Sequence, residues 1–332
     1  MSKVEIPTNA IAIPENLEDV NHTWLSSILG ISISPSNFLA TPNAQVGTGF
    51  LSQIVRVSCE ELDGTPLKLI VKLLPQGDSS NTDFAKTIVV DAAFDVREID
   101  FYSIIYPDLI QVLPELKDYM CHFYTGFITE NPRSSVIVMG DLKPDGYKTI
   151  NFGNYLSEFQ MEESVKFMAK FHYASNALEY KKKLPLDQIY PFLHDKNANE
   201  PTKQSFFTFF INGLAKLDAF FEKENCSVEF RDYFKSLLPD QIPIFTNVFR
   251  AMNKHTSLIH GDLWSNNLLV QDDGKSIKVI DWQLVACGDP SYDLAVLIIS
   301  ILPPERLKRD EVERLLRLYF DTYLELSDFG IE

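Results

Sequence analysis

Leu258-Ile259-His260-Gly261-Asp262-Leu263-Trp264-Ser265-Asn266-Asn267-Leu268-Leu269-Val270 is the stretch on which the fold turns, together with Ile277-Lys278-Val279-Ile280-Asp281-Trp282. An apolar strand runs into His-Gly-Asp, a polar loop follows, and a second apolar strand leaves from Asn267. A third short strand ends at Asp281. Asn267 follows Asp262 by five residues and Asp281 follows it by nineteen. Two carboxylates and an amide therefore stand at the ends of short neighbouring strands. Hard oxygen donors in this pattern suit Mg2+, which takes few protein ligands beside phosphate oxygens and water. An Asp near such an ion can accept the proton of a substrate hydroxyl. Asp and Asn are also ordinary turn residues. Two Asp- and Asn-rich turns are the plain structural alternative, and the order of the flanking elements weighs against it.

Upstream, a helical signal spans Val20 to Leu29, and then strands and turns dominate. Gln45 to Val57 reads as strand, glycine turn and strand, and Leu62-Asp63-Gly64-Thr65 as a hairpin turn. Leu67 to Leu74 is a β-rich run. Gln76 to Asp83 is polar and loop-like, and the helical period from Asp83 to Tyr106 predicts one helix ended by Pro107. Ser135 to Met139 is a short apolar strand. From Glu158 onward helical periods prevail, with Val165, Met168, Ala169, His172 and Tyr173 on one face. Strand-type islands interrupt them at Ser257 to Val270 and Ile277 to Asp281. Strands first and helices second predict an α+β chain of two packed units rather than an alternating βαβ sheet. Small-molecule sites favour the cleft between such units.

The first half holds three further candidates. Gly47-Thr48-Gly49, with Ser52 three residues on, lies between two strands. Glycines let backbone N–H groups approach a phosphate, and an ordinary hairpin turn fits the same residues equally well. Lys72 stands in an apolar strand and wants a partner; alternation puts Lys68 on the same face as a rival. Glu98 shares a helical stripe with Phe94, Phe101 and Ile105. A carboxylate there is costly unless paired. A Lys72–Glu98 ion pair would account for both, the alternative being that each reaches solvent independently.

Composition excludes several classes. The 332 residues are 45% hydrophobic and 23% charged, an ordinary globular balance that argues against disorder. A net charge of −16 repels phosphate backbones and anionic lipid, so neither nucleic acid nor membrane is expected as a partner. Cys59, Cys121, Cys226 and Cys287 are widely spaced and form no CxxC pair, which points to a reducing compartment. The first residues carry prolines and acids rather than a long apolar core, and Leu294 to Leu302 is too short to span a bilayer. A cytoplasmic protein is expected.

His-Gly-Asp-x-x-x-x-Asn followed by a strand-terminal Asp resembles the catalytic core of kinase-like small-molecule phosphotransferases. More narrowly, HGDLWSNN, then IDWQ, then GDPSYDLA resemble the choline-kinase-like (CHK, ecdysteroid-kinase-like) family, over about residues 40–325. The His-Arg-Asp and Asp-Phe-Gly sequences of ordinary protein kinases are absent. The resemblance implies a bilobal protein-kinase-like fold: a β-rich N-lobe over residues 1–140, a mainly helical C-lobe over 141–332, and an ATP cleft between them. It implies ATP and Mg2+ as cofactors and a small-molecule hydroxyl as acceptor, such as a sterol, a choline-like amine or a xenobiotic alcohol. Asp262 matches the base, with His260 beside it as the residue that braces the loop. Asn267 and Asp281 match the metal ligands. Gly47, Gly49 and Ser52 match the nucleotide loop, Lys72 the strand lysine, and Glu98, in preference to Asp95 or Asp100, its helix partner. Val136 to Leu142 resembles the hinge, where backbone groups near Met139 to Asp141 would read adenine; family members usually carry an acid where Gly140 stands. Asp293 corresponds to an anchor of the catalytic loop, and His172 to a bracing residue. Family members usually continue for several helices beyond the amphipathic run Val312, Leu315, Leu316, Tyr319 and Phe320, so a shortened C-lobe is expected. A catalytically idle scaffold that binds a ligand or partner is the competing function, and turnover of ATP with an acceptor separates the two.

Overall fold

Strict alternation builds the N-terminal sheet. In the strand Pro66–Leu73, residues Leu67, Leu69, Val71 and Leu73 are buried while Lys68 is exposed and Lys72 half-buried. The computed structural model describes residues 12–42, 51–75, 80–150, 155–193, 213, 216–236, 257–271 and 276–330. Five antiparallel strands form the sheet: β1 (Leu39–Pro42), β2 (Gln53–Glu60), β3 (Pro66–Leu73), β4 (Phe123–Glu130) and β5 (Arg133–Gly140), in the order β1-β2-β3-β5-β4. Gly64, at φ 89°, turns the β2–β3 hairpin as the sequence leads one to expect. One face, with Val55, Val57, Leu69, Val71, Val136 and Val138, packs on α1 (His22–Leu29) through Leu25. The other face carries Lys68, Ile70 and Lys72, and there Ile137 and Met139 join the large core shared with the helices.

The helix predicted over Asp83 to Tyr106 is in fact divided. It begins earlier, as α2 (Ser80–Asp91), so the end of the expected loop Gln76–Asp83 is helical. The chain then breaks at Ala93, which is left-handed at φ 53°, and resumes as α3 (Phe94–Asp100). The break lets the two segments bury different faces: Ile88 and Val89 of α2 pack with Leu74, whereas Ile99 faces the main core. Pro107 does not end the helix. A π-turn over Phe101–Ile105 precedes α4 (Tyr106–Val112), and Pro107 lies in the first turn of α4. Asp100, Phe101, Ile105 and Tyr106 all keep right-handed helical dihedrals, so Pro107 lies inside a continuous helical run, directly after the wider π-turn.

The helical half is built on α5 (Glu158–Lys182), capped by a reciprocal Ser157–Gln160 box. The face expected to be apolar is buried, and so are Phe167 and Phe171, which places α5 inside the lobe. Two small antiparallel sheets flank it. One joins β6 (Tyr147–Thr149), β8 (Leu268–Gln271) and β9 (Ile277–Val279) in the order β6-β8-β9; the other pairs β7 (Ser257–Ile259) with β10 (Ala286–Gly288). Then α6 (Pro290–Ile301) and α7 (Arg309–Gly330) close the lobe. On α7, Leu315 and Tyr319 are buried, but Phe320 is exposed, so the packed stripe is narrower than its sequence suggests. This is an α+β, bilobal, protein-kinase-like architecture. Among the described residues no helix is long and apolar enough to cross a membrane.

Candidate functional site

β7 leads into His260 and Asp262, Asn267 precedes β8, and β9 leads to Asp281, so the strand ends gather the three polar groups. Gly261 makes this possible: its φ is 81°, and a Cβ there would sit 2.4 Å from the carbonyl oxygen of Leu284. Only glycine lets the loop pass so close. Asp293 of α6, fully buried, accepts the N–H of His260 at 2.6 Å and of Gly261 at 2.9 Å. The His260 Nε2–H donates to the Ile280 carbonyl at 3.0 Å, and Nδ1 accepts the Asp262 N–H at 3.3 Å. Burial pushes the His260 pKa down, with Asp293 opposing. Both ring nitrogens of a neutral His260 are thus engaged with backbone, which is the bracing role; neither is left for proton transfer. Its ring packs on Trp282, with centroids 4.5 Å apart, and Trp282 stacks on Phe101 at 3.8 Å.

Asp262 accepts from Asn267 Nδ2 at 3.2 Å, and the same amide donates to the Asp262 carbonyl at 2.8 Å. Burial pushes the Asp262 carboxyl up to about 7, Asp281 adds to the rise, and the Asn267 hydrogen bond opposes it. A carboxyl poised near neutrality suits a general base. Asp281 is left-handed, at φ 69°. One of its oxygens accepts Lys72 Nζ at 2.7 Å and the other accepts Gln283 Nε2 at 3.3 Å.

Lys72 reaches Glu98 Oε2 at 2.6 Å as well, so one ammonium bridges helix α3 and the strand-end Asp281. The expected ion pair is present with a second carboxylate added. Burial acts to lower the Lys72 pKa, but Asp281 and Glu98 outweigh it and hold Lys72 protonated. Burial raises the Glu98 pKa, and Lys72 restrains it. The rival Lys68 is exposed and bonds Ser58 Oγ instead. Ser52, Lys72, Glu98, Asp95 and Gln283 line one pocket beneath the sheet. Gly47 and Gly49 lie outside the described residues.

At the hinge, the Gly140 N–H donates to His122 O at 2.8 Å and the Asp141 N–H to Lys68 O at 2.9 Å. Neither amide is available to a base edge, and Met139 pairs in register with Ile70 of β3. The Asp141 carboxylate is occupied too: Arg56 Nε lies 3.2 Å away and the Lys143 N–H 3.0 Å away. Arg56 and Gln283 were not singled out by sequence. Of these, only Arg56 carries a signal, lying on the same face of β2 as Ile54 and Ser58 and so on the cleft side.

The donor set also tests the metal. Among the described residues no group of three His, Cys, Asp or Glu could hold an ion by itself. One carboxylate and one amide oxygen, from Asp281 and Asn267, are what Mg2+ takes when phosphate oxygens complete its shell. Asp281 also raises the Asp262 pKa, a local excess of negative charge that a divalent cation would relieve. The residues fit Mg2+.

The ecdysteroid kinase-like family matches residues 46–328, and the chain belongs to that family. No curated protein matches it significantly in sequence. Similar solved structures include an aminoglycoside phosphotransferase from Streptomyces rimosus, solved with ADP and streptomycin (13% identity, 80% of this chain and 83% of that one, TM-score 0.42). Choline kinase LicA from Streptococcus pneumoniae is also similar (13% identity, 91% and 79%, TM-score 0.40). So is an ethanolamine kinase from Plasmodium vivax (14% identity, 87% and 73%, TM-score 0.38).

Proposed function

We propose that this protein is an ATP- and Mg2+-dependent kinase that transfers the γ-phosphoryl group to a hydroxyl of a small molecule. The observation that carries this reading is the half-buried Asp262 carboxyl, raised to about 7 and held by Asn267, with Asp281, which Lys72 ties to Glu98, adding to the rise. Family membership supports it. In the reaction, Asp262 takes the proton of the acceptor hydroxyl as its oxygen bonds to the γ-phosphorus, and the bond from that phosphorus to the ADP oxygen breaks. Lys72, positioned by Glu98, holds the nucleotide phosphates; Ser52 stands at the same pocket. Asn267 and Asp281 would hold Mg2+, which supplies charge neutralisation on the phosphates. Catalysis then rests on positioning and preorganised charge rather than on a covalent enzyme intermediate. Sterol, amino-alcohol and xenobiotic acceptors are the classes to try, and the cytoplasm is the expected compartment.

The experiment is an acceptor screen with the full chain and Mg·ATP, read by mass spectrometry for a product heavier by one phosphate. A product that disappears with Asp262→Asn supports the reading. ATP binding with no Asp262-dependent turnover on any acceptor class would mean a ligand-binding scaffold instead.

A further inference from the structure

Helix α3 is tied to the sheet at two points, one turn apart. Glu98 holds Lys72 of β3 at 2.6 Å. Asp95, three residues earlier and so on the same side of the helix, holds Arg133 of β5. One guanidinium nitrogen of Arg133, Nη2, donates to both Asp95 oxygens, at 2.9 Å and 2.8 Å. The pair is dry: the Arg133 side chain is 19% exposed and that of Asp95 8%. Asp95 Oδ1 also accepts the Val96 N–H at 2.8 Å, so this carboxylate fastens the first turn of α3 to the strand. Arg133 opens β5, and alternation puts Ser135 and Ile137 on its face. Those two side chains line the pocket that Lys72, Asp95 and Glu98 share.

The two ties stand differently toward the nucleotide. Lys72 is divided between Glu98, Asp281 and, in the reaction proposed above, the phosphates. Arg133 begins β5 four residues before Ile137, the register partner of Lys72, which is about 13 Å of strand away. Its hold on α3 therefore persists when Lys72 turns to a ligand. The helix needs such a hold. Seven residues long, it starts at the left-handed Ala93, where the chain leaves the line of α2. A helix of that length is not kept in place by its own hydrogen bonds; packing and side-chain ties place it.

We propose that Arg133 is a positioning residue: its hold on Asp95 fixes α3 so that Glu98 stays on Lys72 and Lys72 is presented to the nucleotide phosphates. The effect on ATP rests on Lys72 holding the phosphates, as proposed above; the hold on α3 does not.

Hydrogen exchange of the full chain, read by mass spectrometry, tests the hold without any ligand. In Arg133→Met the amides of Phe94–Asp100 should exchange about 10-fold faster, while those of α5 keep their native rate. An unchanged α3, or a rise shared equally by α3 and α5, overturns the proposal whatever the enzyme does, since the second result would mean that Arg133 only stabilises the fold. Calorimetry gives the consequence: Arg133→Met should weaken Mg·ATP binding about 10-fold and leave adenosine binding unchanged, because adenosine has no phosphates for Lys72 to hold. Adding Arg133→Met to Lys72→Met, where no ammonium remains to be positioned, should weaken Mg·ATP no further. A full further loss there means that Arg133 acts by another route and overturns the idea. A loosened α3 with undiminished Mg·ATP affinity upholds the hold on the helix and overturns the reading of Lys72 on which the effect on ATP rests. Should Arg133→Met not fold, Asp95→Asn combined with Arg133→Met replaces it, because it removes the tie without stranding a buried carboxylate, and the same results are expected of it.

Discussion

Lys72→Met, Glu98→Gln and their combination should show a stability order that runs against simple addition. In the native fold one ammonium serves two carboxylates, at 2.6 Å and 2.7 Å. Glu98 has a side chain 2% exposed, whereas that of Asp281 is 27% exposed. Removing Lys72 strands both carboxylates, and breaking a buried pair in this way costs about 3–5 kcal/mol. Removing the Glu98 charge leaves Lys72 still paired to Asp281, with the Gln amide able to accept a bond, so the cost is about 1 kcal/mol. In the double variant only the partly solvated Asp281, which keeps its Gln283 hydrogen bond, has lost its cation. It should therefore be about 2 kcal/mol more stable than Lys72→Met alone, a large negative departure from additivity. The pH dependence has a definite sign. Without Lys72 the Glu98 pKa rises further above its unfolded value of about 4.3. Stability linked to a raised carboxyl is complete below the unfolded pKa and is lost as pH rises through the folded one. The deficit of Lys72→Met should therefore grow as pH rises above about 7, where Glu98 ionises in the native fold, and shrink as pH falls back to that value; measured on the Glu98→Gln background this pH dependence should be absent. Urea unfolding with unchanged slopes measures all three. Equal costs for the two single variants, or a double variant at their sum, would refute the shared-ammonium account.

Asp262 titrates in the folded protein at about 7, so kcat/KM should climb with pH through that value, and added Mg2+ should move the rise to lower pH because a cation favours the carboxylate. By the same linkage Asp262 contributes stability at low pH that is lost as pH rises through about 7. Asp262→Asn should cut turnover about 10²-fold or more while making stability less pH-dependent between the ordinary carboxylate range and about 7; unaltered turnover would remove Asp262 as the base. Asp281→Ala should weaken Mg·ATP binding in calorimetry more than adenosine binding, because adenosine has no phosphates to share an ion; equal losses would make Asp281 structural. Gly261→Ala places a Cβ 2.4 Å from the Leu284 carbonyl oxygen in a left-handed conformation, and should cost about 2 kcal/mol or more. An undiminished urea midpoint would show that the loop relaxes freely.

Much of the site was legible because its chemistry is local. His260, Gly261, Asp262, Asn267 and Asp281 occupy consecutive strand–turn units, so their spacing alone sets them side by side. The pairing of Lys72 with Glu98 was legible for another reason: a charge in an apolar strand and a charge in an apolar helical stripe each imply a partner. The same periodicities placed α1, the Gly64 hairpin and the buried face of α5. What the sequence could not decide were competitions settled by packing. It did not show that Lys72 also holds Asp281, 209 positions away, because no local rule limits an ammonium to one carboxylate. Nor did it show that Ala93 divides the helix and that Pro107 is carried inside one, since the burial available to each segment outweighs residue preference. The hinge amides of Gly140 and Asp141 look free in sequence but are taken by His122 and Lys68 from neighbouring strands. Tyr319 looked like one more apolar helix position until folding set its hydroxyl on His172, 147 residues away. Periodicity tells which face of an element is buried; only tertiary packing chooses the donor and acceptor that meet there, because that choice depends on groups distant in the chain competing for the same few dry positions.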